Sequence, residues 1–89
     1  MRISEQTVRI SRTLIESYMW DVERYTRERL GVTESDRVVS PLWWYIDTGR
    51  ASADFLGRLV RVKPYVIGRL LMKGGSDAEV IERVEARVK

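Results

Sequence analysis

The chain has 89 residues, 44% apolar and 33% charged, with acids and bases interspersed instead of blocked, so it is one folded domain with a single modest core. It contains no cysteine and no histidine, which excludes disulfides and thiolate metal sites and removes the commonest metal ligand and general base. Net charge is only +3, but its distribution is uneven. Residues 1–30 hold six bases and five acids, 31–50 two and three, 51–75 five and one, and 76–89 three and four. The segment charges are thus +1, −1, +4 and −1, and the whole excess lies in 51–75. Phosphate backbones are bound by bases gathered on one surface. No metal, cofactor or small-molecule substrate is expected, and no enzymatic pair has diagnostic spacing. With no long apolar run, a soluble cytoplasmic protein without a membrane partner is expected.

In chain order, Thr7-Val8-Arg9-Ile10-Ser11 alternates as a short strand or an extended N-terminal arm over 1–11 would. A long helix over 12–30 follows, started by Ser11 or Thr13, with Leu14, Ile15, Tyr18, Met19, Val22, Tyr25 and Leu30 on one broad face and Gly31 as its stop. Trp20 falls on the opposite face, exposed in an isolated helix, so it is expected either to be covered by another element or to be a contact residue. Thr33-Glu34-Ser35-Asp36 reads as the start of a short helix over 34–39 that Pro41 interrupts. Ser40-Pro41 then starts another, Leu42-Trp43-Trp44-Tyr45-Ile46, which is apolar all round and so must be covered on several sides. Ser52 caps a helix running to about Val60, and Lys63-Pro64 opens one ending at Gly74-Gly75. Ser76-Asp77-Ala78-Glu79 has the form of a capping box ahead of a helix over 77–88, with Val80, Ile81, Val84 and Val88 inside and Glu79 and Arg83 as an exposed pair. The fold class expected is therefore all-α, a small domain of about five helices with an extended N-terminal arm.

Residues 52–73 join two short helices through about three residues. Leu56-Gly57-Arg58-Leu59-Val60-Arg61-Val62-Lys63-Pro64-Tyr65-Val66-Ile67-Gly68-Arg69-Leu70-Leu71 resembles the helix-turn-helix of bacterial, phage and plasmid DNA-binding regulators. In that pattern Gly57 lies where the helices cross, Val62 follows the turn, and Ile67 plugs the crossing, with Val60 and Leu70 or Leu71 closing the core. Arg61 stands where the turn usually has glycine, so the turn must accept a side chain, a left-handed backbone strained by about 1 kcal/mol being one way of doing so. Gly68 inside the second helix costs about 1 kcal/mol against alanine, which a close approach, for instance to a DNA backbone, would justify.

The resemblance implies a second helix lying in the major groove of duplex DNA with Lys63, Pro64, Tyr65, Gly68, Arg69 and Met72 outward. Arg69 suits a guanine, Arg58, Arg61, Lys63 and Lys73 suit phosphates, and Tyr65 a phosphate or sugar. That face is poor in amides and hydroxyls, so it grips better than it reads. A transcriptional or phage/plasmid regulator acting as a homodimer is the function implied. Trp43, Trp44 and Tyr45 either pack, at least two of them, on the core or, with Trp20, form the dimer interface.

Two other readings compete. Residues 7–11 followed by helices over 12–30 and 31–46 also resemble a ribbon-helix-helix dimer contacting DNA through Thr7, Arg9 and Ser11, although the first helix is long and Pro41 falls inside the second. From a different class, the tryptophans suit a protein-interaction module docking on a larger complex.

Overall fold

The computed structural model describes residues 11–89, with the backbone alone at 32–34, and in that span the chain is all-α. Five helices are described: α1 (Arg12–Leu30), α2 (Val32–Asp47), α3 (Ala53–Leu59), α4 (Pro64–Met72) and α5 (Asp77–Val88). The expected arm, with Thr7 and Arg9 of the ribbon alternative, lies outside the described residues apart from Ser11. The Ser11 hydroxyl accepts the Leu14 amide at 3.1 Å and caps α1. None of the described helices is long and apolar enough to cross a membrane.

α1 is the central element, packed on α2 along one side and α4 along another, while α5 packs against α2, α3 and α4. Its buried stripe is Ile15, Tyr18, Met19, Val22 and Thr26, the spacing of one helical face. Leu14 and Leu30, expected on that face, are exposed. Glu23 is buried instead. The Ser35 hydroxyl of α2 donates to its carboxylate at 3.0 Å, and Arg27 reaches the same group at 3.4 Å, so the buried acid is not left unsatisfied. Gly31, at a φ of 98°, ends α1 by donating to Arg27 O at 2.8 Å, and α2 begins at the next residue.

α2 departs from the sequence expectation. It is one helix of 16 residues with Pro41 inside it, not two pieces. Proline has no amide hydrogen to donate to the preceding turn, at a cost of about 3 kcal/mol. Val39, Leu42 and Ile46 flank it on one stripe and are all buried, and burying each such side chain contributes about 1.5–3 kcal/mol. Packing therefore outweighs the break. Trp43 and Tyr45 pack against the edges of the core, whereas Trp44 points away from it, 46% exposed.

The later helices begin and end close to where the sequence placed them. Ser52 accepts the Phe55 amide at 3.0 Å to start α3. Pro64 takes the first turn of α4, and Ser76 and Glu79 form the full capping box of α5. Val80, Ile81, Val84 and Val88 are all buried in the chain's own core. Arg83 lies near enough to Glu79 for its charge to add to the Ser76 hydrogen bonds that hold that carboxyl below its ordinary pKa, but it is not exposed. It is half-buried and donates to Leu70 O at 3.1 Å and Gly74 O at 3.0 Å, satisfying carbonyls at the end of α4.

Candidate nucleic-acid interface

α3 and α4 are joined by residues 60–63, with Val62 donating to Leu59 O at 3.0 Å and Arg61 to Arg58 O at 3.2 Å. No described residue other than glycine has a positive φ, so Arg61 carries none of the left-handed strain its place in the turn suggested. The tight, helix-like hydrogen bonds accommodate a side chain without it. The turn is also fastened from outside. The Tyr18 hydroxyl of α1 donates to Val62 O at 2.8 Å, and burial pushes that hydroxyl's pKa well up from its ordinary value against a smaller opposing pull from Arg87.

Ile67 and Leu71 are buried, and Val60, Val62 and Leu70 pack against the core from its edge, in keeping with the expected inner positions. The crossing differs from the expectation. α3 packs on α5, and α4 packs on α1, α2 and α5. Gly68, expected to face outward, is buried at a close helix approach. A methyl group built on it would lie 2.6 Å from Tyr25 Cδ2 and 3.5 Å from Thr26 Cγ2. The partner that justifies this glycine is thus α1, not a DNA backbone.

Because α4 sits so close to α1, side chains from the two helices border one cleft. Tyr25 and Arg29, four apart on the last turns of α1, line it opposite Tyr65, Arg69, Met72 and Lys73, spaced by four, seven and eight along α4 and its C-cap. Its volume is about 760 Å³ and none of the six lining residues is acidic. The Arg29 guanidinium lies over the Tyr25 ring, 5.3 Å from its centre. The Tyr25 and Tyr65 rings are 6.4 Å apart and tilted by 52°. Arg12, Arg24, Arg27 and Arg58 each face a carboxylate within 4 Å. Among the described residues Arg29, Arg69 and Lys73 have no such partner, so their charge is available to a ligand.

Of the six DNA-contact residues read from the sequence, Tyr65, Arg69 and Lys73 meet in this cleft. Arg61 and Lys63 are exposed in the turn ahead of α4. Arg58 pairs with Asp54 at 3.2 Å and lines a separate groove that includes Asp54 and Glu85. Tyr25 and Arg29 were missed as site residues. Their i,i+4 pairing of an aromatic and a base was visible, but nothing local to α1 says that α4 docks beside it.

The four residues proposed for a dimer contact divide between two sides of α2. Trp20, 64% exposed, and Trp43 border a cleft with Met19, Glu23, Asp36 and Val39, and Arg12 stacks on Trp43 at 5.4 Å. Trp44 and Tyr45 line another groove with Ile81 and Glu85. There Arg50 stacks on Trp44 at 5.0 Å, and the Tyr45 hydroxyl donates to Glu85. That hydrogen bond, with burial and the carboxylate's charge adding to it, pushes the Tyr45 pKa up to about 12. No group of three or more metal-ligating side chains occurs among the described residues. No protein-family model, curated protein or solved structure matches this chain.

Proposed function

We propose that this chain is a small DNA-binding protein that grips duplex DNA by its phosphates, using α4, the turn before it and the end of α1. The observation that supports this most is the gathering of Arg29, Arg69 and Lys73 around one cleft with no acidic residue in its lining, each without a carboxylate partner among the described residues. Arg61 and Lys63 extend the basic surface along the chain. Three cations and two phenols supply donors but few acceptors, so contacts to phosphate outweigh reading of base edges. A regulator of transcription or of a phage or plasmid is the role such a protein fits.

Fluorescence anisotropy with random-sequence duplex across a salt series tests the proposal. Affinity is expected to fall steeply with salt, and Arg69→Ala/Lys73→Ala to flatten the log–log slope by about two, one contact for each base removed, since each phosphate contact contributes about 0.9. Absence of binding at low salt, or an unchanged slope in the variant, refutes the surface.

The exposure of Trp20 and Trp44 favours a self-association or partner-docking role beside it. As a regulator the chain acts as a homodimer, and light scattering that gives a monomer would remove that element. A protein-interaction module docking through the tryptophans is the second reading. Its binding would hardly respond to salt, which separates it from the first.

A further inference from the structure

Resting on the DNA-binding reading, we propose that the cleft between α1 and α4 holds an unpaired nucleotide, so that the protein prefers DNA carrying a single-stranded stretch over a continuous duplex. The first reason is shape. The major groove is about 12 Å wide and admits one helix of about 10–12 Å diameter standing clear of its neighbours. Here α4 does not stand clear: Tyr65, Arg69, Met72 and Lys73 form one wall of a cleft whose other wall is Tyr25 and Arg29 of α1. Two helices held together at Gly68 present a recess to the ligand, too broad as a pair to be inserted. The recess, about 760 Å³, is open to solvent on its outer side.

The second reason is the chemistry of the lining. Tyr65 is 48% exposed, and its ring meets Tyr25 at 52°, so the rings do not stack on each other and Tyr65 keeps a face for another flat group. Bases inside a duplex are already stacked on their neighbours and offer no face to such a ring; an unpaired base does. Met72 adds an apolar surface beside it. Arg29, Arg69 and Lys73 surround the aromatic pair with charge suited to flanking phosphates. Aromatic platforms within a basic groove bind single strands with little regard to sequence. The scarcity of acceptors in this lining fits the same sequence tolerance.

The experiment compares three labelled probes by anisotropy at fixed, moderate salt: oligothymidylate, a blunt duplex of the same length, and that duplex with a single-stranded flank. The parent protein is expected to bind the flanked duplex and the single strand more tightly than the blunt duplex. Tyr65→Ala should lower single-strand affinity by about tenfold and abolish the preference, while Tyr65→Phe retains it, since the ring and not the hydroxyl stacks. Far-UV circular dichroism of the variants checks that the helices persist. If blunt duplex binds as tightly as the single strand and Tyr65→Ala leaves their ratio unchanged, the proposal fails while DNA binding stands. If no probe binds at low salt, the DNA-binding reading fails with it.

Discussion

Replacing Gly68 with alanine sets two effects of known sign against each other. In a helix interior the change is worth about 1 kcal/mol of added stability from propensity alone. Here the new methyl would sit 2.6 Å from Tyr25 Cδ2 and 3.3 Å from Cε2, well inside the 3.5–4.0 Å of ordinary carbon contacts. Tyr25 must retreat by about 1 Å, which disturbs its contact with the Arg29 guanidinium resting on its ring. Overpacking of this kind costs about 1–3 kcal/mol, so the net expectation is a loss of about 1 kcal/mol. For a domain of this size that lowers Tm by about 4–8 °C. In a Tyr25→Ala background the obstacle is gone, and Gly68→Ala should then stabilise by about 1 kcal/mol relative to that background. Urea unfolding of the parent, both single variants and the double variant, followed by far-UV circular dichroism, measures the coupling directly. A stabilised Gly68→Ala with Tyr25 intact would refute the close packing of α4 on α1 and, with it, the cleft.

Other consequences follow from the same geometry. Tyr18→Phe leaves the Val62 carbonyl without its α1 donor and should lower the unfolding free energy by about 1 kcal/mol in urea titrations. Tyr18 and Tyr45 both have folded-state pKa values above the ordinary tyrosine value near 10. Their contribution to stability is therefore fully present below pH about 10 and lost as pH rises through the folded-state values. Urea midpoints measured against pH should fall in that alkaline window, less steeply in Tyr18→Phe. Arg83→Met removes the guanidinium from Leu70 O and Gly74 O and should cost about 1–3 kcal/mol in the same assay, with amide exchange rising first at the end of α4.

Local signals were legible in the sequence where local chemistry decides the outcome. Ser11, Gly31, Ser52 and the Ser76/Glu79 box mark helix ends through hydrogen bonds made within a few residues, Pro64 marks one through its fixed φ, and each does so in the structure. The α5 stripe was legible for the same reason, because its period alone decides which face is buried. Pro41 misled because its cost is local while the burial that outweighs it comes from α1 and α5 across the core. Gly68 misled in the same way. Its presence signalled a close approach, but only the docking of α4 on α1 identifies Tyr25 and Thr26 as what approaches. The same docking explains the candidate site, of which the sequence supplied the α4 wall, Tyr65, Arg69 and Lys73, and not the α1 wall, Tyr25 and Arg29. Asp54, one turn before Arg58, was legible at the same i,i+4 spacing, and the two form an exposed pair at 3.2 Å in the structure.

The proposal that α4 and the end of α1 form the DNA-gripping surface is tested most directly by following backbone amide resonances while unlabelled DNA is titrated into isotopically labelled protein. Shift changes concentrated at Arg29, Arg61, Lys63, Tyr65, Arg69 and Lys73, reversed by added salt, are the expected result. Changes centred on Trp20 and Trp43 or on Trp44 and Tyr45, or no changes at low salt, would contradict it.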